Sequence, residues 1–304
     1  MIKSPLRLLS AWSTFFRYPT LRSSRTITVF YFSWFSFMGL LYTSRWAIQP
    51  PIALKALGVM ASITVFVYAL NDTMDADLDR LSSIKSKRPI PSGMMTKRQG
   101  LLLSAVGGII GFILSLTINL WTMVFALIFM GLGFSYSVPP IRLKSRFLMK
   151  DATLTTGLII SLLIGTAAVG KISSSIFLPI LTFALGGMTI YPTFYDTLDI
   201  QEDKIGGCKT IAMILNQKRR LELSTFGLLT IMVTVTLTYG YFGLNIICPI
   251  LTVFGCLLFL KYIFPLLMKP DEAYEKEILS KSISINRVIM LLIPLGFILG
   301  SLNL

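Results

Sequence analysis

The sequence predicts an all-α integral membrane protein, and three observations lead to that fold class. Hydrophobic residues make up 54% of the 304 residues, and charged residues only 14%, against roughly a quarter in ordinary globular chains. Apolar runs long enough to cross a bilayer recur along the chain. A soluble domain of this size has too little interior to bury so much apolar surface. Membrane insertion is therefore the arrangement that the composition favours.

Nine apolar runs define the predicted architecture, a single domain over residues 1–304 built of transmembrane helices. An N-terminal interfacial segment, residues 1–25, precedes them, and its stretch 6–16 is typical of an amphipathic helix. Spans one to four and five to eight are predicted to form two four-helix pseudo-repeats, with the ninth helix added. The predicted transmembrane helices lie near 26–44, 52–70, 100–118, 120–135, 152–170, 175–194, 223–241, 243–262 and 286–302.

The distribution of basic residues predicts the orientation. Of the 28 Lys and Arg residues, all except Arg45, Lys55 and Lys171 fall on one side of the predicted spans. The positive-inside rule then places the N-terminus and the even-to-odd loops in the cytoplasm and the C-terminus outside, in a multi-pass protein of the cell membrane. The net charge of +14 therefore reflects topology, and no nucleic-acid partner is predicted. The positive-inside rule is enough to explain five of these loop residues without any role in binding: Lys97, Arg98, Lys218, Arg219 and Arg220.

The acidic residues gather on the same side, which the positive-inside rule does not require. The second span ends in a segment where Asp72, Asp75 and Asp79 follow i, i+3, i+7 spacing and so share one face of a helix. The sixth span ends in residues 195–204, where three further Asp residues repeat that spacing. Two copies with matched spacing and topology favour a functional site over a solvated helix end. The second set is Asp196, Asp199 and Asp203.

The residue types near these clusters indicate the chemistry. Clustered carboxylates repel one another and need a positive partner. The chain contains no His, which excludes Ser-His-Asp catalysis and His-ligated metals, and oxygen ligands suit Mg²⁺ or Ca²⁺. Mg²⁺ usually shares its coordination with substrate phosphates. Two basic residues near the clusters are predicted to donate hydrogen bonds to a diphosphate. They are Arg88, in a loop stiffened by Pro89 and Pro91, and Lys204, which follows the second cluster.

Four motifs together resemble the UbiA superfamily of intramembrane prenyltransferases. They are NDxxDxxxD at 71–79, RPIPSG at 88–93, YSxPPxRLK at 136–144, and DxxDxxxD at 196–203 with KxGGxKT following. The resemblance implies an all-α bundle of nine transmembrane helices around a central cavity, which is capped on the cytoplasmic side. It also implies a polyprenyl diphosphate donor, and two Mg²⁺ ions that bridge the two Asp-rich motifs to that donor. The KxGGxKT segment departs from the usual G-x-x-T/S pattern, so the acceptor stays open between a small aromatic and a lipid precursor, and the oligomeric state is not predicted.

The resemblance also implies residue roles, carried over by position. The metal ligands implied are Asn71, Asp72, Asp75, Asp79, Asp196, Asp199 and Asp203, the carboxylates among them also being assigned to catalysis. The substrate-binding residues implied are Asn71, Arg88, Tyr136, Lys144, Tyr195, Lys204 and Arg22, with Arg17 as the alternative to Arg22. Without His, the general base is a carboxylate, the released pyrophosphate or water, with Asp199 or Asp203 as the candidate side chain.

Two other function classes compete with this interpretation. CDP-alcohol phosphotransferases are also membrane-bound and Asp-rich, but they carry their Asp residues in one continuous motif that this sequence lacks. A cation transporter could use the carboxylates, yet transporter sites usually lie near the bilayer midplane on broken helices. Here the carboxylates come at the ends of predicted spans, beside basic residues.

Overall fold

The computed structural model describes residues 13–16, 25–82, 85–170, 172–205, 207–269 and 271–302. At positions 199, 202, 272, 273, 276 and 282–290 it describes the backbone alone. Within these ranges every regular element is helical and no strand occurs. The prediction of an all-α membrane bundle is therefore confirmed.

Twelve α-helices and two π-helical turns carry the described fold. In chain order the α-helices are α1 Arg25–Ser44, α2 Pro50–Met74, α3 Ala76–Asp79, α4 Lys97–Leu116, α5 Leu120–Ser137, α6 Met149–Ala168, α7 Phe177–Leu185, α8 Thr197–Ile205, α9 Ile211–Ile214, α10 Gln217–Thr238, α11 Ile247–Met268 and α12 Glu272–Gly300. The π-helical turns are Gly186–Ile190 and Pro192–Asp196.

Eight helical segments among the described residues are long and apolar enough to cross a membrane. They are α1, α2, α4, α5, α6, the segment Ser174–Asp196, α10 and α11. The predicted ninth span, 286–302, overlaps the C-terminal part of α12, which contains the apolar stretch Leu291–Gly300. The chain is thus an integral, multi-pass membrane protein.

The chain divides into two compact units. The first comprises residues 1–37, 49–143 and 160–170, and the second comprises residues 38–48, 144–159 and 171–304. Each unit contains one of the two Asp-rich motifs. Because both units draw on separate stretches of the chain, residues distant in sequence meet within each of them.

Small residues allow α2 and α4 to pack closely in the first unit. A Cβ atom on Gly107 would lie 2.8 Å from the Ser62 carbonyl oxygen, and one on Gly111 would overlap the Ile63 side chain. Such small-residue contacts are typical of helix pairs in membranes, where close backbone approach provides much of the packing energy. Because the first Asp-rich motif begins at the C-terminal end of α2, this packing fixes the position of the motif.

A hydrophobic cluster holds the loop that follows the first motif. Ile90 and Met95, on either side of Gly93, pack with residues of α2 and with Phe15. The predicted interfacial segment lies mostly outside the described residues, but its end, 13–16, is helical, and Phe15 is buried in this cluster. A capping box between Thr96 and Gln99 then starts α4. The loop carrying Arg88 is therefore anchored at both ends.

The sixth span is irregular where it approaches the second motif. Two π-helical turns replace the α-helix over its last eleven residues, and Pro192, which lacks an N–H donor, begins the second turn. Hydroxyl groups stabilise these wide turns, since Thr193 Oγ1 donates to the Arg220 carbonyl at 3.0 Å and Ser224 Oγ donates to the Thr189 carbonyl at 2.7 Å. Such turns occur frequently at functional sites, and this one ends at Asp196.

Candidate active site

The first motif lies at a break in the helix. α2 ends at Met74, Asp75 adopts φ −95° and ψ 0°, and α3 follows. The i to i−4 hydrogen bonding nevertheless continues, because the Asp75 amide donates to the Asn71 carbonyl at 2.9 Å and the Asp79 amide donates to the Asp75 carbonyl at 2.8 Å. The helical spacing predicted from the sequence is thus preserved across the break, and Asp72, Asp75 and Asp79 are all buried.

Two arginines bind the carboxylates at the ends of this motif. Arg25 donates from Nε to Asp72 Oδ2 at 2.8 Å and from Nη2 to Asp72 Oδ1. Arg88 Nη1 donates to Asp72 Oδ1 at 3.2 Å and to Asp79 Oδ2 at 2.8 Å. The Arg25 guanidinium also lies 4.8 Å from the centre of the Tyr68 ring, a cation–π contact. Asp72 therefore binds two guanidinium groups at once.

A third arginine reaches the middle carboxylate. Arg142 Nη2 donates to Asp75 Oδ1 at 3.3 Å, while Asn71 Nδ2 donates to Asp75 Oδ2 at 3.1 Å. Asn71 Nδ2 is also 3.2 Å from Ser137 Oγ, at the end of α5. The half-buried Tyr136 precedes Ser137 in the same helix. The first unit thus brings together the motifs NDxxDxxxD and RPIPSG with residues 136–143 of YSxPPxRLK.

Two carboxyl groups of the first motif have opposite pKa shifts. Burial raises the pKa of Asp79, although Arg88 opposes this effect. Asp77 lies off the shared face and is exposed, and the hydrogen bond that Lys97 donates to it at 2.6 Å lowers its pKa. The residues that share the face are therefore the ones removed from water.

The second motif surrounds a lysine instead of arginines. Lys150 Nζ, near the start of α6, lies 3.0 Å from Asp196 Oδ1 and 2.7 Å from Asp203 Oδ2. All three side chains are buried. The Asp199 backbone belongs to α8, and its side chain is not among those described. The structure thus brings together the first and last Asp residues of the second motif.

The remaining sequence-predicted residues lie in varied surroundings. Lys144 is buried in a short 3₁₀ helix, Leu143–Ser145, whereas Lys204 is exposed on α8. Tyr195 is half-buried and its ring stacks on Tyr191 with centroids 4.8 Å apart. Arg22 and its alternative Arg17 lie outside the described residues.

Sequence reasoning missed four residues of these clusters, namely Arg25, Arg142, Lys150 and Asp151. Each belongs to the basic or acidic groups counted on the predicted cytoplasmic side, but no local spacing links them to an Asp motif. Asp151 is the one acidic residue at the start of the fifth span, a position that was a usable signal.

One basic residue was misinterpreted. On the sequence alone, the positive-inside rule explains Arg220, but this residue is buried and donates a hydrogen bond to Glu275 Oε2 at 2.8 Å. It also donates to the carbonyls of Ala212 and Leu215, at 3.0 and 2.9 Å. Arg220 therefore joins α10, α12 and the loop after the second motif. By contrast, Lys218 is exposed, as a topology charge should be.

Known proteins resemble this chain along most of its length. The digeranylgeranylglyceryl phosphate synthase of Sulfolobus acidocaldarius is 28% identical over 272 residues, which cover 88% of this chain and 92% of that protein. The mitochondrial 4-hydroxybenzoate polyprenyltransferase of Arabidopsis thaliana is 29% identical over 159 residues, covering 52% of this chain and 38% of that protein.

Solved structures share the fold. A structure described under the name digeranylgeranylglyceryl phosphate synthase superposes with a TM-score of 0.75 at 23% identity, covering 98% of this chain and all of that one. A UbiA homologue from Archaeoglobus fulgidus bound to GPP and Mg²⁺ superposes with a TM-score of 0.66 at 18% identity, covering 90% and 97%. The sequence profile of the UbiA prenyltransferase family matches residues 32–285. With most of its length matched and its motifs in order, the chain belongs to the UbiA prenyltransferase family.

Proposed function

We propose that this protein transfers a prenyl group from a prenyl diphosphate to the hydroxyl group of a glyceryl phosphate lipid precursor. The observation that carries this proposal is the pair of buried Asp-rich motifs, each in contact with cationic side chains, in a member of a prenyltransferase family. The acceptor class is inferred from the relative of Sulfolobus acidocaldarius, 92% of whose length matches this chain.

The residues present fit Mg²⁺ by their donor chemistry. The buried donors are carboxylate oxygens, and Asp196 Oδ2 has no hydrogen-bond partner among the described residues. No three Asp, Glu, Cys or His side chains of the described part of the chain lie close enough together to hold a metal. Basic side chains contact the carboxylates instead. We therefore assign Mg²⁺ to the carboxylates of both motifs, with Asn71 assisting, and expect the basic side chains to turn towards the diphosphate.

The donor-binding role falls to the basic residues near the motifs. The developing charge on the leaving diphosphate needs preorganised cationic donors, and a bound metal ion would add Lewis-acid stabilisation. Arg25, Arg88 and Arg142 contact the first motif and so are within reach of a diphosphate bound there. We assign the same role, binding of the prenyl diphosphate, to the other substrate-binding residues that the family resemblance implies. They are Arg22, Tyr136, Lys144, Tyr195 and Lys204.

The transfer step needs a site without water. The C–O bond between the prenyl group and the diphosphate breaks, giving a delocalised carbocation that water would otherwise capture. The acceptor oxygen then forms the new C–O bond, and its proton leaves for a carboxylate, the released pyrophosphate or water. The motif Asp side chains that the structure describes, Asp72, Asp75, Asp79, Asp196 and Asp203, are buried, which supports a site from which water is excluded.

Purified protein, geranylgeranyl diphosphate and geranylgeranylglyceryl phosphate provide the direct test. We expect prenylated product, detected by mass spectrometry, together with acceptor-dependent pyrophosphate release. Both should stop when EDTA removes Mg²⁺ and return when Mg²⁺ is restored. The variants Asp75→Ala and Asp199→Ala should lose turnover, whereas the exposed Asp77→Asn should retain it. Full turnover in both Ala variants would contradict the site assignment.

An aromatic acceptor is the second candidate, since the relative from Arabidopsis thaliana is a 4-hydroxybenzoate polyprenyltransferase. The same assay with 4-hydroxybenzoate in place of the glyceryl phosphate separates the two. Product from the aromatic compound alone would overturn the proposed acceptor class and leave the prenyl transfer intact.

The orientation of the protein forms part of the proposal. We assign the N-terminus and both acidic motifs to the cytoplasm and the C-terminus to the outer side of the cell membrane. Lys218 and Tyr241 are exposed at opposite ends of the segment formed by α10 and the residues after it. In intact cells, a membrane-impermeant maleimide should label the variant Tyr241→Cys but not Lys218→Cys, and the reverse pattern would invert the topology.

A further inference from the structure

Asp151 is a fully buried side chain that none of the four motifs includes. Neither of its carboxylate oxygens has a hydrogen-bond partner among the described residues. Asp196 and the Ile211 amide lie near enough to interact with this carboxylate, but no described donor meets it, or Asp196 Oδ2, with hydrogen-bond geometry. A buried carboxylate that accepts no well-formed hydrogen bond is costly unless a cation accompanies it.

The charges around Asp151 leave room for a cation. Lys150 contacts Asp196 and Asp203 and also acts on Asp151 through its charge. A single ammonium group therefore faces three carboxylates of the second unit. One positive charge cannot neutralise Asp151, Asp196 and Asp203 together, and both Asp151 oxygens and Asp196 Oδ2 accept no hydrogen bond among the described residues.

We propose that Asp151 is a further ligand of a divalent cation, and that Asp151 and Asp196 form a seat for this cation that fills before any prenyl diphosphate binds. The inference rests on the proposed function, because it deepens the metal requirement of the second motif. Lys150 is then the resident counter-ion that the incoming cation partly displaces. In the first unit each motif carboxylate accepts a hydrogen bond from an arginine, so a cation gains less there until a diphosphate draws the arginines away.

The test measures metal binding without substrate. Full-length protein in detergent, free of prenyl diphosphate, is titrated with Mn²⁺, and free Mn²⁺ is followed by electron paramagnetic resonance. We expect Asp151→Asn to weaken the binding about tenfold or more, in the range that loss of a metal-supporting group usually produces. Asp77→Asn, at an exposed position in the first unit, is the matched control of the same chemistry and should bind Mn²⁺ as the unchanged protein does.

A second variant keeps the inference testable if Asp151→Asn folds poorly. Lys150→Met removes the competing ammonium group and should tighten Mn²⁺ binding. A purely structural lysine would give no change or weaker binding. If Asp151 and Asp196 instead share a proton, the unchanged protein will show no Mn²⁺ binding that Asp151→Asn weakens, and the inference is overturned.

Turnover separates this inference from the proposed function. An enzyme that prenylates its acceptor while Asp151→Asn leaves Mn²⁺ affinity unchanged would overturn the inference alone. Tight Mn²⁺ binding lost in Asp151→Asn, in a protein without prenyl transfer, would support the seat and overturn the proposed function.

Discussion

The two Asp-rich motifs have the same spacing, but their carboxylates are neutralised in different ways. In the first unit, guanidinium groups of Arg25, Arg88 and Arg142 contact all three motif carboxylates. In the second unit, the single ammonium group of Lys150 contacts two motif carboxylates, and Asp151 lies beside them. Identical spacing in the sequence thus produces one motif with planar guanidinium partners, of which Arg25 binds Asp72 through two nitrogens, and one motif with a compact point charge.

The difference suggests a division of labour. Guanidinium groups match the geometry of phosphate oxygens, so the first motif is suited to present donors to a diphosphate. Carboxylates that share one ammonium group are suited to receive a metal ion. The motifs are therefore expected to respond differently to the same substitution, and the following predictions test that expectation.

The largest effect is expected at Asp72, the carboxylate that binds two arginines. Asp72→Ala leaves the buried Arg25 and the half-buried Arg88 without this partner, and breaking a buried ion pair costs about 3–5 kcal/mol. We expect turnover to fall by about 10²-fold or more and the melting temperature in detergent to drop. Asp72→Asn, which keeps an oxygen acceptor, should melt higher than Asp72→Ala. An unchanged melting temperature in Asp72→Ala would mean that the arginines do not depend on Asp72.

Whether the sequence could predict a contact of this site depends on how far apart the two residues are along the chain. The i, i+3, i+7 spacing is local, so it correctly grouped Asp72 with Asp79 even though the helix breaks at Asp75. The partners Arg25 and Lys150 lie 47 and 53 residues from the carboxylates they bind, at Asp72 and Asp203. Those pairings depend on tertiary packing, which no periodicity in the sequence reports.

The same limit explains the errors in the helices. The two π-helical turns arise where Pro192 and the hydroxyl contacts of Thr193 meet α10, so the sixth span appeared from its hydropathy as an ordinary helix. Arg220 follows two exposed basic residues and shares their composition, yet its side chain turns inward to Glu275. Spans follow from composition, whereas the direction of a single side chain follows from its neighbours.

The second-largest effect concerns the ion pair of Arg220 and Glu275, which stabilises the second unit and does not include Asp151 or Asp196, the residues of the proposed cation seat. Arg220→Met should lower the stability by about 3–5 kcal/mol, because Glu275 stays buried without this guanidinium. The double variant Arg220→Met with Glu275→Met should be less destabilised than the sum of the two single changes. Thermal unfolding in detergent measures both, and Lys218→Met, at an exposed position, is the matched control. Additive losses would show that the two residues act independently.

Smaller effects are expected where helices approach closely. Gly107→Ala in the first unit would place a methyl group 2.8 Å from a backbone oxygen, and Gly227→Ala in the second would overlap Thr189 in a π-helical turn. Overpacking of this kind costs about 1–3 kcal/mol. Gly107→Ala should be the more damaging, since a backbone cannot rotate away as a side chain can. Gly131→Ala, which meets no atom within 4 Å, should melt no lower than the unchanged protein.

The smallest effect is expected at Asp77. This residue tests whether a carboxylate must lie on the shared face of the first motif to be needed for function, or whether closeness in the sequence is enough. Asp77 is two residues from both Asp75 and Asp79, but its exposed carboxylate contacts Arg80 and Lys97 at the surface. Lys97 lowers its pKa, so any stabilisation is present above the unfolded pKa and is lost as the pH falls through the folded pKa. Water and salt screen such an exposed pair. Asp77→Asn should therefore match the unchanged protein in turnover and melting temperature from pH 5 to pH 8, about the range of maximal stability for most proteins. Asp79→Asn should lower both turnover and melting temperature. Equal losses in the two variants would place the functional face elsewhere on the helix.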